Sequence, residues 1–148
     1  NLESLSFADE SIGLHVSQDV FEHVFKPDLA FKEIARTLQP GGAHVFTVPL
    51  VCKGESSRRR ATLNEDGSIT HHLPPQYHGN PIDDSGALVT IDWGYEICEK
   101  IALCCGLHTE IHYIDDLSQG IRAEYIEVLV TRKPLLTIDR SNEIHNEI

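Results

Sequence analysis

The sequence predicts an α/β fold whose sheet is mostly parallel and ends in an antiparallel pair of strands. Strand-like and helical patterns alternate along the chain in the order strand, helix, strand, irregular insertion, helix, strand, strand. Such alternation is typical of a parallel sheet, whereas two final strands with no helix between them indicate an antiparallel hairpin. A chain of 148 residues, of which 41% are hydrophobic, is sufficient for one domain with its own core.

The first fifty residues contain the clearest elements. A short apolar strand is expected over residues 12–17, and a helix is expected to begin at Pro27-Asp28, because proline and an acidic residue both favour a first turn. Apolar residues then recur at spacings of three and four, which predicts one buried helix face: Ala30, Phe31, Ile34, Ala35 and Leu38. The glycine-rich turn at residues 40–42 should end this helix. Residues 43–50, "AHVFTVPL", predict a central strand covered on both faces.

Residues 51–89 show no sustained periodicity and are predicted to form a lid-like insertion. So long an irregular segment inside a compact domain is uncommon and is usually functional or disordered. The sequence "NEDG" at residues 64–67 predicts a hairpin turn between two short strands of this insertion.

The remaining residues predict a helix followed by two strands. Thr90 or Asp92 is expected to cap the helix and Gly106 to end it, with a core-facing stripe formed by Trp93, Ile97, Ile101 and Cys105. Alternating residues then predict strands over residues 107–114 and 123–133. The tail over residues 134–148 is weakly patterned.

Charge and hydropathy argue against two classes of partner. The net charge of −11 opposes nucleic-acid binding, because phosphates favour Lys and Arg. The basic run at residues 56–60 is interpreted as a solvated loop, with contact to an anionic substrate as the alternative. No apolar run approaches the roughly 18 residues that a membrane-spanning helix needs.

The cysteines and the N-terminus suggest a cytoplasmic protein. The four cysteines have no metal-ligand spacing, and the first residues lack the pattern of a secretion signal, so we expect reduced thiols. Because the sequence begins with Asn1 and contains no methionine, we expect a fragment or a processed product.

Several spaced motifs resemble the second half of a class I S-adenosylmethionine-dependent methyltransferase domain. They are Leu5-Ser6-Phe7, Phe21-Glu22-His23-Val24 and Arg36-Thr37-Leu38-Gln39-Pro40-Gly41-Gly42. The resemblance implies a partial Rossmann-like methyltransferase sheet, with residues 1–133 forming the C-terminal part of the domain. It also implies S-adenosylmethionine as the cofactor and methyl transfer to a small-molecule acceptor that the sequence does not identify.

The resemblance also suggests which residues approach the cofactor. Asn1 would stand where an acid usually meets the adenine amino group, and Leu2 would supply a backbone contact to the ring. Ser17 and Gln18, at the carboxyl end of the first predicted strand, would lie beside the methionine portion. The glycine-rich cofactor loop and the ribose-binding acid of the family have no counterpart in this sequence. The isolated chain is therefore expected to bind the cofactor weakly and to be inactive.

Asp19, Glu22 and His23 form the first candidate site. Spacings of three and four would place the three side chains on one side of a helical turn, where carboxylates and imidazole can bind Mg²⁺ or Zn²⁺. An acid-x-x-Glu-His arrangement is similar to the metal site of the O-methyltransferases of ubiquinone biosynthesis. The alternatives are that Glu22-His23 is a structural turn or that His23 is a general base.

His71, His72, Tyr77 and His78 form a second cluster, in the breaker-rich segment "THHLPPQYHGNP". Adjacent histidines on a strand point to opposite sides, so His71 and His72 are not expected to share one metal ion. Tyr77 and His78 are candidates for the acceptor pocket, with His78 taking the acceptor's proton. The alternative is a polar lid with no catalytic role.

Two other functions remain open from the sequence. The chain could be a non-catalytic assembly module that forms a homodimer through the exposed edge of its first strand. It could also be half of a nicotinamide dehydrogenase, but the antiparallel C-terminal pair and the lack of a Gly-x-Gly-x-x-Gly motif disfavour that reading.

Overall fold

The computed structural model describes residues 1–79 and 86–135. The elements in chain order are β1 (Ile12–Gln18), α1 (Pro27–Thr37), β2 (Leu38–Thr47), β3 (Arg58–Arg59), β4 (Ala61–Leu63), β5 (Ile69–His71), β6 (Tyr77–His78), β7 (Ala87–Leu88), β8 (Ile91–Asp92), α2 (Ile97–Cys105), β9 (His108–Tyr113) and β10 (Glu127–Arg132). A 3₁₀ turn at Leu117–Gln119 lies in the connection from β9 to β10. Neither of the described helices has the length and apolar character needed to cross a membrane.

The main sheet has four strands in the order β1-β2-β10-β9. β1 and β2 are parallel, and β10 is antiparallel to both β2 and β9. The predicted antiparallel pair at the C-terminal end is therefore confirmed. The mostly parallel sheet is not confirmed, because two of these three pairings are antiparallel. The cause is β10, which follows β9 without a helix between them and inserts between β9 and β2.

Helix α1 begins where the sequence predicts, and it leads directly into β2. Pro27 lies in its first turn, and its buried face includes Ala30, Phe31 and Ile34. The helix ends at Thr37, and Leu38 already has an extended backbone.

The strand β2 starts earlier than predicted and is covered less completely. Residues 40–42 belong to the strand, and the reason is long-range: Gly41 donates its N–H to the Lys133 carbonyl, and Lys133 donates to the Gly42 carbonyl. β2 is a central strand, as predicted, but its second face is only partly covered, because burial alternates along the strand. His44 and Phe46 are buried, whereas the intervening Val45 is only half-buried.

The second helix begins seven residues later than Thr90, at Ile97, so the predicted caps Thr90 and Asp92 are wrong. Residues 90–93 instead bond to the insertion and to the turn after β1. Trp93 is fully buried, as predicted, although it lies outside α2. Gly106 ends the helix in a left-handed conformation, which confirms the predicted stop.

The core fills one side of the sheet. Phe21 stacks on Phe31 at 4.6 Å between ring centroids, and Trp93 packs edge-on against Phe31. Leu129 of β10 and Ile97 of α2 belong to the same buried cluster. On the opposite face, Leu14 and Val16 of β1 are exposed.

The insertion forms short strand pairs. The predicted hairpin is confirmed, because β4 pairs with β5 around residues 64–67. β3 pairs with β8, and β6 pairs with β7, all antiparallel. Its role as a lid stays a prediction, and residues 80–85 of it lie outside the described residues. The predicted tail also lies outside them from residue 136 onward. All four cysteines are free thiols.

His44 gives the fold a testable pH dependence. The ring is buried, stacks on Phe46 at 4.4 Å and shares a 2.9 Å hydrogen bond with the Ser17 hydroxyl. Burial, and secondarily the nearby His15, lowers the pKa of His44 to about 3. In the unfolded chain histidine titrates at about 6.5, so the unfolded chain binds more protons between these two pH values.

Stability should therefore be complete above about pH 6.5 and fall as the pH decreases toward 3, by up to about 1.4 kcal/mol per pH unit. The free energy of unfolding, measured with urea at several pH values in this range, should change less steeply with pH for His44→Gln than for the wild type. The exposed His108 provides the control, since His108→Gln should keep the wild-type slope. An unchanged slope in His44→Gln would show that another group causes the acid sensitivity.

Candidate functional site

A cavity of about 160 Å³ lies at the carboxyl ends of the parallel strands β1 and β2. Glu22 of its lining follows β1, and Pro49 and Val51 follow β2. Because parallel strands end at the same edge of a sheet, the two segments meet there, which is where α/β folds bind ligands. The insertion and residues 89–92 complete the lining, whose other polar side chains are Arg58, Arg60, Gln76, His78 and Asp92.

The turn after β1 is fixed by residues far along the chain. Thr90 donates its backbone N–H to the Glu22 carbonyl at 2.7 Å and its hydroxyl to the Val24 carbonyl at 2.8 Å. Trp93 donates its indole N–H to the Phe21 carbonyl at 3.2 Å. The backbone on either side of Glu22 is thereby held, and its side chain is directed into the interior.

Glu22 has a buried carboxylate without a hydrogen-bond partner. Its side chain is only 2% exposed, and neither Oε1 nor Oε2 has a partner among residues 1–79 and 86–135. Two imidazole nitrogens lie near Oε1, His23 Nε2 at 3.5 Å and His78 Nδ1 at 3.6 Å. Burial is the main cause that raises the pKa of Glu22.

The two histidines reach Glu22 from different parts of the chain. His23 Nδ1 lies 2.8 Å from the Leu88 carbonyl, and because a carbonyl only accepts, Nδ1 carries the hydrogen. His78 belongs to β6, which pairs with β7 so that Tyr77 lies opposite Leu88. The two imidazole rings are 5.1 Å apart and nearly perpendicular. Burial lowers the pKa of His78, with a smaller contribution from His23.

Asp92 pairs with both arginines of the cavity. Its carboxylate is 2.7 Å from Arg60 Nη1 and 3.3 Å from Arg58 Nη2. Arg60 also donates to the Pro74 carbonyl, which attaches this part of the insertion to β8. The basic run is therefore neither a purely solvated loop nor an unpaired anion site, since Arg60 is mostly buried and paired.

The structure replaces one member of the predicted metal-binding trio. The segment after β1 is a turn and not a helix, so the spacing of three and four does not bring Asp19 to Glu22 and His23. Asp19 is exposed and accepts a hydrogen bond from Thr47 Oγ1 at 3.0 Å. Glu22, His23 and His78 form a group whose candidate ligand atoms lie within 4.8 Å of one another.

The residues predicted to approach the cofactor lie in two places. Ser17 and Gln18 close β1, but the Ser17 hydroxyl already bonds to His44, whereas Gln18 is exposed. Asn1 is exposed and accepts from the Glu3 N–H, and Leu2 packs against the core. Their role in cofactor binding stays a prediction.

The second predicted cluster is divided by the structure. His78 lines the cavity, and the neighbouring Tyr77 is 55% exposed and lies outside the lining. His71 and His72 are exposed, and His72 bonds to Thr62 within the hairpin.

Comparisons with known proteins bear on the fold. A family model described as a methyltransferase domain matches residues 1–46. Solved structures match most of the chain at low identity. An S-adenosylmethionine-dependent methyltransferase from Mesorhizobium loti is 17% identical, with a TM-score of 0.53, and the match covers 89% of this chain and 67% of that one.

Two further structures give the same result. An S-adenosylmethionine-dependent methyltransferase from Methanosarcina mazei is 16% identical, with a TM-score of 0.52 and coverage of 91% and 65%. The 1,6-didemethyltoxoflavin-N1-methyltransferase of Burkholderia thailandensis, solved with bound 1,6-didemethyltoxoflavin and S-adenosylhomocysteine, is 12% identical, with a TM-score of 0.53 and coverage of 90% and 48%.

The chain has a methyltransferase fold. The resemblance inferred from the sequence is thereby confirmed, and residues 1–46 are the part that carries it in sequence. The chain spans between about half and two thirds of the length of these three methyltransferases. A search of the curated proteins gives no match.

The residues that hold the turn after β1 were not recognisable from the sequence. The sequence pattern predicts Thr90 or Asp92 as the cap of a helix and places Trp93 in its buried stripe. The pairing of β3 with β8, which brings Arg58 opposite Asp92, involves two residues on each strand. Strands this short have no periodicity. One usable signal was the single acid, Asp92, in the apolar run of residues 89–93, because a buried acid needs a basic partner such as the arginines at residues 58–60.

The pairing of Asp92 predicts unequal roles for the two arginines. Arg60→Met would remove the hydrogen-bonded partner of a buried carboxylate and should lower the free energy of unfolding by about 2–3 kcal/mol. Arg58→Met is the matched control, because the Arg58 side chain is 59% exposed, and its loss should cost less than about 1 kcal/mol. Urea denaturation of both variants measures the difference. Equal losses would contradict the assignment of Arg60 as the principal partner.

Proposed function

We propose that this chain belongs to an enzyme that transfers a methyl group from S-adenosylmethionine to a small-molecule acceptor. The methyltransferase fold and the family match over residues 1–46 support the reaction class. The observation that carries the proposal is the group formed by Glu22, His23 and His78. It combines a buried carboxylate with two imidazoles at the edge of the sheet where folds of this class bind ligands.

The cofactor-binding role of four residues is part of the proposal. S-adenosylmethionine, when bound, supplies a methyl group on a sulfonium that is already a good leaving group. Ser17 and Gln18 would contact its methionine portion from the end of β1, with the exposed Gln18 amide as the free side chain. Asn1 and Leu2 would contact the adenine, in keeping with the family resemblance.

The chain's own contribution to the chemistry is to position the acceptor and take its proton. Methyl transfer depends chiefly on proximity and orientation, so no nucleophilic residue is required. The acceptor heteroatom forms a bond to the methyl carbon, the carbon–sulfur bond breaks, and the sulfur keeps the electron pair. The proton lost by the acceptor goes to an imidazole. His78 is a candidate for this role, because its Nδ1 lies 3.6 Å from Glu22 Oε1 and the second ring nitrogen, Nε2, can accept a proton.

The cavity limits the class of acceptor. A volume of about 160 Å³ suits a compact group and is well below the roughly 300–1,000 Å³ of typical drug-sized ligand pockets. Asp92 pairs with both arginines of the lining, so neither guanidinium lacks an acidic partner. A compact acceptor with a hydroxyl or amino group fits these properties. Tyr77, beside His78 and largely exposed, would contact the acceptor at the rim, and the insertion would cover it as a lid.

The test uses the full-length protein and the release of S-adenosylhomocysteine. Calorimetry should first show binding of S-adenosylmethionine, and a panel of small hydroxyl- and amino-bearing compounds should then identify an acceptor. With that acceptor, His78→Ala should lower turnover on the order of a hundredfold and leave cofactor affinity unchanged. His72→Ala, in the exposed hairpin, is the matched control and should retain full turnover.

Two results would overturn this proposal. Failure of the full-length protein to bind S-adenosylmethionine would remove the reaction class. Normal turnover by His78→Ala would remove His78 from the mechanism. The cytoplasmic location, inferred from the sequence, remains a prediction.

A second function is supported by the exposed face and edge of β1. Leu14 is 58% exposed and Val16 is 71% exposed on the strand that ends the described sheet. Unpaired strand edges bind other strands, so a non-catalytic module that forms a homodimer through β1 is the alternative.

Light scattering tests the alternative without reference to catalysis. If the chain is such a module, the protein should be a dimer in the absence of S-adenosylmethionine, and the Val16→Lys variant should be a monomer. Leu103→Lys, at an 88% exposed position of α2, should leave the dimer intact. A wild-type protein that remains monomeric at all concentrations would exclude the homodimer.

A further inference from the structure

The contact between Glu22 and His23 brings two lone pairs together. His23 Nδ1 carries the ring hydrogen, because it lies 2.8 Å from the Leu88 carbonyl. In the neutral ring, His23 Nε2 therefore presents a lone pair, and it lies 3.5 Å from Glu22 Oε1. Two acceptors this close together, one of them on a buried carboxylate, are unfavourable unless a proton or a metal ion lies between them.

The distances show that a shared proton does not fill this role. A hydrogen bond between a protonated imidazole and a carboxylate spans about 2.7–2.9 Å. Both separations here, 3.5 Å to His23 Nε2 and 3.6 Å to His78 Nδ1, are well above that range. Neither imidazole is therefore bonded to Glu22 as a charged donor.

The same separations fit ligands of one metal ion. Bonds of about 2.1 Å at tetrahedral angles place two ligand atoms about 3.4 Å apart. The two distances from Glu22 Oε1 agree with this value. One ligand atom from each of the three residues lies within 4.8 Å of the other two, and the His78 side chain is 37% exposed, so a small rotation of its ring would complete the set.

We propose that Glu22 Oε1, His23 Nε2 and His78 Nδ1 bind one divalent transition-metal ion of the zinc class. Two imidazoles and one carboxylate favour Zn²⁺ and its neighbours over Mg²⁺ and Ca²⁺, which prefer oxygen ligands. Three protein ligands leave a fourth coordination position, as in catalytic zinc sites. Glu22 and His78 also line the cavity, so this position is available to a hydroxyl or amino group bound there.

A carbonyl in the outer shell supports the site. Ligating histidines generally donate their other ring N–H to a carbonyl or carboxylate, and the bond from His23 Nδ1 to Leu88 has this geometry. Leu88 lies in β7, and His78 lies in its partner β6. One short strand pair therefore supplies a ligand and orients a second one.

This inference deepens the proposed function. A catalytic role of the ion rests on the proposed methyl transfer, whereas binding of the ion does not. A bound ion would use His78 Nδ1, so His78 would act as a ligand and no longer as a base. The ion would then lower the pKa of the acceptor group and assist loss of its proton to solvent.

The test is direct titration of the full-length protein after removal of metal with a chelator. Calorimetry with Zn²⁺ alone should give one site per chain, and millimolar Mg²⁺ should not compete. His78→Ala and Glu22→Gln should each weaken Zn²⁺ binding about tenfold or more. His72→Ala, outside the site, should bind Zn²⁺ as the wild type does. His78 is partly exposed, so its variant should fold, which thermal unfolding would verify.

Spectroscopy with Co²⁺ separates this site from the cysteines. The wild type should show the absorption of a four-coordinate ion and no thiolate-to-cobalt charge-transfer band. No bound Zn²⁺, equal affinity in His78→Ala, or a thiolate band would each overturn the metal site. A protein that methylates an acceptor but binds no Zn²⁺ would refute this inference alone. A protein that binds Zn²⁺ but not S-adenosylmethionine would refute only the proposed function.

Discussion

The turn that follows β1 is held in place by residues 66 to 72 positions further along the chain. Thr90 and Trp93 bind the backbone carbonyls on both sides of Glu22, and the indole of Trp93 also belongs to the core. This connection has two consequences. It places a charged side chain in the interior, and it brings the insertion against the end of the sheet. Without it, the turn would be an exposed loop and the cavity would have no inner wall.

The mixed pairing of the sheet explains why the site forms at one edge. β1 and β2 are parallel, so the segments that leave them both emerge on the same side. The insertion after β2 returns to that side through the pairing of β3 with β8. β10 runs the opposite way, and it anchors the start of β2 through the bonds between Lys133 and Gly41–Gly42. The antiparallel strand thus stabilises the sheet at the end away from the site.

The sequence predicted those parts of the fold that depend on local or periodic signals. Helix α1, the turn at residues 64–67 and the glycine stop of α2 follow from caps, spacing and turn residues. The stripe containing Trp93 correctly indicated burial but wrongly indicated helix, because Thr90 and Trp93 bond to a distant turn and not to their neighbours. His78 was recognisable as a candidate. Its position beside Glu22 was not, because it depends on a pairing of two-residue strands that leaves no periodic signal.

Three carboxylates are buried in the described part of the chain, and comparing them isolates Glu22. Asp92 pairs with Arg60, and Glu127 accepts hydrogen bonds from the Tyr95 hydroxyl and the Ile126 N–H. Only Glu22 lacks a donor among residues 1–79 and 86–135. The fold provides hydrogen-bond donors for the carboxylates of Asp92 and Glu127. It fixes the backbone around Glu22 with three hydrogen bonds, and so holds the Glu22 carboxylate where it has no donor. Such local violations are expected where a site serves function, so the missing positive charge is best sought in what the site binds.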